Sequence, residues 1–185
     1  MEKIQDYKYW LKRKKEDLHL DWNNQESNWI NGYWRSRNHP HRKHILNKLE
    51  ELNPFESLIE VGSNCGPNLA LISQKFPNVS LAGIDINKTA ILEGREKLPQ
   101  IDFRRALAWR IPFPKKSFDI LLTDAVLLYV SPKKIMKTIQ EFLRVAKKAI
   151  ILIEWHSENE ILGKIEFHHW VRDYKKLFSL FGLQT

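Results

Sequence analysis

The chain has one cysteine, Cys65, among its 185 residues, so it forms no internal disulfide and assembles no cysteine-based metal cluster. It has no run of about 18 apolar residues, the length a membrane-spanning helix needs. Its first ten residues, MEKIQDYKYW, lack the unbroken apolar stretch of a secretory signal. A cytoplasmic, reducing setting and no membrane partner are expected from these absences. Internal repeats and low-complexity linkers are absent too, and 185 residues suit a single core.

The charge is uneven. Lys and Arg number 30 against 22 Asp and Glu, giving a formal net charge of +8. The excess recurs in short clusters: KRKK at 12–15, RSRNHPHRK at 35–43, and lysine pairs at 115, 133, 147 and 175. Dispersed lysines first imply a solvated surface. They would also draw in an anionic partner, such as an acidic small molecule, a nucleotide sugar or RNA.

Composition changes near residue 55. The segment 1–55 is rich in Trp, Asn, Lys and His, with four of the seven tryptophans (Trp10, Trp22, Trp29 and Trp34) and expected helices over 2–17 and 40–52. It reads as a helical cap: its aromatics either form a lid over a substrate pocket or pack the helices onto the domain. From 56 to 185, apolar runs alternate with amphipathic ones. Strands are predicted at 57–61, 79–84, 101–105, 118–123 and 149–154. Helices are predicted from Pro67 to about 75, from an Asn87 cap to about 98, from Pro132 through 134–147 with Ala146 on its apolar face, and over 168–181. Such alternation makes an α/β domain, doubly wound, with a mostly parallel sheet and helices on both faces.

The most informative stretch is LIEVGSNCGPNL at 58–69, where a strand runs into a glycine-bearing turn and then a helix. Gly62 permits the turn, and Gly66 lets backbone approach a ligand at the helix start. Asp85 ends the next strand, where a carboxylate can accept both hydroxyls of an adenosine ribose. A dinucleotide site would want glycine where Asn64 stands, and Glu60, just before the turn, would repel a pyrophosphate. A cofactor that carries an ammonium group suits the pair of acids better.

These residues resemble the class I S-adenosylmethionine-dependent methyltransferases, in the small-molecule branch of methyltransferase types 11 and 25. The family's acidic-x-Gly-x-Gly-x-Gly motif appears as Glu60-Val61-Gly62-Ser63-Asn64-Cys65-Gly66, without the middle glycine. Ile111-Pro112-Phe113-Pro114-Lys115-Lys116-Ser117-Phe118-Asp119 is similar to its LPFPDxSFD segment, and Thr123 to Val130 to the stretch that follows. The resemblance covers roughly 57–155 and implies a Rossmann-like fold. It also implies S-adenosyl-L-methionine as cofactor and S-adenosyl-L-homocysteine as product, without a metal. By the same resemblance, Glu60 would meet the methionine ammonium and Gly62, Asn64 and Gly66 would form the turn that admits the cofactor. Asp85 would hold the ribose, while Ile86, Leu107 and Ala108 would line adenine. Leu107 stands where many members have Asp. Thr123 would lie near the transferred methyl.

Methyl transfer needs alignment more than a dedicated catalytic group, although an oxygen acceptor profits from a base. His156 and Asp124, at the ends of strands, are the expected catalytic residues, with Glu154, His39, His41, His168 and His169 as further candidates. In the segment 31–42, Tyr33, Trp34 and Arg42 are expected to grip an acceptor or close over the cofactor; the two histidines around Pro40 make a poor metal site. The Asp-Pro-Pro-aromatic type of motif that accompanies nucleic-acid amino methylation is missing from Thr123-Asp124-Ala125-Val126. A small-molecule or sugar-type acceptor, methylated on oxygen or nitrogen, is therefore favoured over the alternative of an RNA methyltransferase that uses the basic N-terminal segment. The family's sheet ends in an antiparallel strand pair, and the chain stops at Gly182-Leu183-Gln184-Thr185. That pair is expected to be incomplete, which leaves two further readings: a binding module with little turnover, and a homodimer that pairs through an exposed sheet edge.

Overall fold

The computed structural model describes residues 6–20 and 26–183. Trp22, the start of the helix expected over 2–17, and Gln184-Thr185 lie outside the described residues. The N-terminal part comprises α1 (Tyr7–Lys12), a hairpin of β1 (Leu18–Leu20) and β2 (Glu26–Asn28), α2 (Trp29–Arg35), a 3-10 turn at Ser36–Asn38, and α3 (His41–Glu51). The first helix is shorter than expected. Asp6 caps it through the N–H of Lys8, but Arg13 is extended, and Asp17 closes a turn by accepting from the N–H of Lys14 at 2.8 Å.

Beyond it lie β3 (Ser57–Val61), α4 (Pro67–Lys75), β4 (Ser80–Asp85), α5 (Lys88–Lys97), β5 (Asp102–Arg105), β6 (Phe118–Asp124), α6 (Pro132–Val145) and β7 (Ala146–Ile153). The strands form one parallel sheet in the order β5-β4-β3-β6-β7. The order reverses between β3 and β6, which leaves a crevice at their carboxyl ends. Leu58 of β3 and Ile120 and Leu122 of β6 face one side, where Ile45 and Leu49 of α3, Leu69 and Ile72 of α4 and Ile91 of α5 cover them. Ile59, Val61 and Leu121 face the other, under Ile135, Ile139 and Phe142 of α6. Burial on both faces is why these strands read as continuous apolar runs.

Two predicted boundaries move. Ala146 begins β7 instead of ending α6. The helix expected over 168–181 is replaced by a hairpin of β8 (Lys164–Glu166) and β9 (His169–Val171), followed by the shorter α7 (Tyr174–Ser179). Phe167 and His168 take positive φ values of 46° and 68° to turn between the strands, and Asp173 caps α7 by accepting from the N–H of Lys176. This hairpin is a separate two-stranded sheet, not joined by hydrogen bonds to the central one.

Phe103, 1% exposed on β5, is the wedge at that end of the core. Three glycines make room for it. A Cβ on Gly66, Gly83 or Gly94 would stand 2.7, 2.9 or 3.0 Å from its ring. Phe103→Ala is expected to cost about 3–5 kcal/mol, and Gly83→Val to be more damaging still, because Ser63 Oγ and Leu69 also crowd that position. Urea unfolding of both variants checks this.

Candidate active site

At the carboxyl edge of the sheet, β3 enters a turn whose backbone only certain residues tolerate. Gly62, Asn64 and Gly66 have φ of 75°, 51° and 91°. A Cβ on Gly62 would sit 2.2 Å from Val126, so glycine serves both the turn and its contact with the wall opposite. The N–H groups of Gly62 and Ser63 both donate to the carbonyl of Ile84, fastening the turn to β4. Asp85, at the end of β4, accepts from the N–H of Asn64 at 3.0 Å and of Asn87 at 2.7 Å. Burial raises its carboxyl to about 6 against these donors.

A polar knot lies beside the turn. Asp124 Oδ2 at the end of β6 meets His41 Nε2 at 2.9 Å, Asn68 Nδ2 at 3.1 Å and Arg42 Nη1 at 3.8 Å. Asn68 Nδ2 also donates to Glu60 Oε1 at 2.7 Å, and Arg42 donates to Asn68 Oδ1 and to Ser36. Burial works upward on Asp124, but His41, Asn68 and Arg42 outweigh it and hold its carboxyl below the usual range. Glu60 differs: burial pushes it up to about 8, and its Oε2 is buried with no hydrogen-bond partner. A carboxylate oxygen in that state fits an incoming cationic donor.

These groups surround a cavity of about 350 Å³. Gly62, Asn64, Asp85 and Ile86 line one side, Leu107, Ala108 and Trp109 continue it, and Tyr33, His39, His41, Arg42 and Asp124 close the other. Of the residues singled out from sequence, Glu60, Gly66 and Thr123 stand behind this surface. Gly66 packs on Phe103, and Thr123, fully buried, donates to Glu154 Oε1 at 2.9 Å. Trp34 faces a different cleft, its ring flanked by Arg37 and Lys97 at 6.0 and 5.6 Å. His156 is also elsewhere, in a groove beside β7 with Tyr174 and Lys147, because the chain bends away after β7 to bridge to Arg172. The structure therefore separates His156 from Asp124.

Sequence reasoning missed Tyr7 and Tyr129 as lining residues, and Asn68 as the centre of the knot, while Trp10, one of the aromatics offered as a lid, does line the cavity. The one polar residue in the apolar run PNLALI at 67–72, Asn68, was the available signal; the structure buries it to 4% exposure. It also missed the clamp on the 125–130 wall. Glu154 accepts from the N–H groups of Val126 and Leu127 at 3.0 Å, and the fully buried Arg172 donates to the carbonyls of Leu127 at 2.8 Å and Val130.

Burial raises Glu154 from 4.5 to about 7 despite these N–H donors. A carboxyl that holds its proton more tightly when folded contributes stability present below its unfolded value and lost as pH rises through the folded one. The melting temperature of Glu154→Gln relative to the unsubstituted chain should thus shift in the variant's favour as pH rises from 4.5 through about 7. A pH series of thermal unfolding measures it; a constant difference overturns the assignment.

A family model described as a methyltransferase domain matches residues 58–149. A demethylmenaquinone methyltransferase of Chlorobaculum parvum is 24% identical over 160 residues, 84% of this chain and 63% of that protein. The chain spans between 41% and 63% of the length of the curated relatives it matches. Among solved structures, the YcgJ protein of Bacillus subtilis superposes with a TM-score of 0.63 at 19% identity, covering 78% of this chain and 67% of that one. CalS10, an amino pentose methyltransferase of Micromonospora echinaspora with S-adenosylmethionine bound, superposes with a TM-score of 0.59 at 15% identity, covering 71% and 58%. The strand order, the Glu60 to Gly66 turn with Asp85 beside it, and the matched domain agree: the chain belongs to the class I S-adenosylmethionine-dependent methyltransferase family.

Proposed function

We propose that this chain transfers a methyl group from S-adenosylmethionine to a small-molecule acceptor. The observation that carries this reading is the cavity at the crevice of the sheet, with Asp85 on one side and the unpartnered Glu60 oxygen behind the other. When bound, S-adenosylmethionine supplies an electrophilic methyl on a sulfonium.

Asp85 accepts the ribose hydroxyls, held in place for this by the N–H groups of Asn64 and Asn87. Ile86, Leu107 and Ala108 supply apolar contact for the adenine. Glu60 receives the ammonium, with Asn68 fixing its carboxylate from the other side. Arg42, 6% exposed and pinned by Ser36, is placed to receive a carboxylate. Trp10, Tyr33 and Tyr129 meet edge to face, with Trp10 centroids 5.9 Å from Tyr33 and 5.7 Å from Tyr129, and keep water from the reacting groups. The size and aromatic lining of the cavity favour a small acceptor over RNA, as do the names of two relatives, one acting on a demethylmenaquinone and one on an amino pentose. Cytoplasmic residence accompanies this reading.

Calorimetric titration with S-adenosylhomocysteine should give one saturable site. Asp85→Ala is expected to weaken it roughly 10- to 100-fold, the loss of hydrogen bonds to a charged group. Affinity for S-adenosylmethionine should rise with pH through about 8, because a cation at Glu60 favours the carboxylate over its protonated form. Glu60→Gln should flatten that dependence. A chain that binds neither compound overturns the reading.

A further inference from the structure

Tyr33 and Trp34 are neighbours on α2, yet they face different spaces. Consecutive helical side chains point about 100° apart, and here Tyr33 lines the cavity while Trp34 lines a second cleft that shares no lining residue with it. This cleft, of about 430 Å³, is bounded by the end of α2 and the turn after it, by Ala70, Ser73 and Gln74 of α4, and by Lys97, the last residue of α5, with Leu98 and Gln100 beyond.

Its charged groups are all of one sign. Arg37, half-buried, and Lys97, exposed, stand 6.0 and 5.6 Å from the centroid of the Trp34 ring, and among the described residues neither has a carboxylate partner. Two cations gathered at one ring repel each other. Nε1 of Trp34 is shielded from solvent and has no hydrogen-bond partner among the described residues. Guanidinium, ammonium and indole N–H groups donate and never accept, so the ligand that completes this set is an acceptor carrying negative charge. The net charge of +8 draws such a ligand in. The rest of the wall calls for a ring. Ala70 and Leu98 supply apolar contact beside the indole, and the amides of Gln74 and Gln100 both donate and accept. Ser73 Oγ gives its proton to the carbonyl of Ala70 at 2.9 Å and keeps lone pairs to accept with.

We propose that this cleft binds a mononucleotide-type ligand, a small phosphate ester of a flat ring that carries hydrogen-bonding groups. The phosphate lies between Arg37 and Lys97, where the planar guanidinium grips two of its oxygens and the lysine's flexible stem turns the ammonium from the indole to a third. The ring lies against Trp34, Ala70 and Leu98, within reach of the two glutamine amides. The next cation along α4, Lys75, is paired with Glu50 at 2.5 Å, so that helix extends no basic track for a polymer. The site is separate from the cavity and stands whether or not the cavity transfers a methyl group.

The test titrates uridine monophosphate into the full chain by calorimetry, with S-adenosylhomocysteine in excess to occupy the cavity. One saturable site is expected. Arg37→Gln and Lys97→Gln should each weaken it roughly tenfold, the loss of a hydrogen bond between charged groups. Trp34→Leu should weaken it by a similar factor, through loss of the stacking face. Uridine and inorganic phosphate should each bind at least about tenfold more weakly than the nucleotide, and added salt should weaken the nucleotide further. Circular dichroism of each variant checks that it folds; should Trp34→Leu not fold, the two charge variants carry the test. No saturable binding of uridine monophosphate, binding that Arg37→Gln and Lys97→Gln leave unchanged, or uridine bound as tightly as its phosphate overturns the proposal. Binding of an oligouridylate without binding of the mononucleotide also overturns it and assigns the cleft to nucleic acid. Failure of S-adenosylhomocysteine to bind counts against the methyltransferase reading alone, and the nucleotide titration is then run without it.

Discussion

Everything at the working end of this protein depends on acids held at the carboxyl ends of parallel strands. Glu60, Asp85, Asp124 and Glu154 belong to β3, β4, β6 and the exit of β7, and the sheet's register sets them side by side. A carboxylate there is costly unless it is paired, so the turns that leave the strands fold their N–H groups back onto it. Asp85 shapes the turns at Asn64 and Asn87, and Glu154 shapes the wall that contains Val126 and Leu127. Glu60 Oε2, by contrast, is buried without a partner. The same electrostatic demand thus builds the cavity.

The N-terminal segment is tied to that edge by two side chains that each do more than one thing. Asn87 caps α5 through the N–H of Ala90 and donates to the carbonyls of Trp10 and Arg13. Trp29, fully buried, donates to the carbonyl of Lys14. Together they lay α1 across the cavity, where Tyr7 packs edge to face on Trp109. From α3, His41 and Arg42 then reach Asp124, so residues that precede the sheet in the chain complete the site that the sheet begins.

Much of the fold and of the cofactor side of the cavity is legible in the residues themselves, and the reason is local. A buried parallel strand is mostly apolar on both faces, and a tight turn with positive φ favours glycine or asparagine, so β3 and the Glu60 to Gly66 turn announce themselves. Pro67, Asn87 and Pro132 mark helix starts for equally local reasons. The segment 168–181 misled because its apolar spacing matches a helix while the turn at its start uses Phe167 and His168, residues that rarely take positive φ. The buried Arg172 ties that region to the distant 125–130 wall by donating to the carbonyls of Leu127 and Val130.

The sequence by itself determined the sheet, its winding and the acids that end its strands, because strand burial and turn sterics involve residues close in the chain. Tertiary structure alone decided that His41 meets Asp124, 83 residues away, that His156 and Trp34 face other clefts, and that Asn68 joins Glu60 to Asp124. Those outcomes depend on which loops return over the sheet and at what angle. That is set by packing between distant segments, which no local pattern of residues encodes.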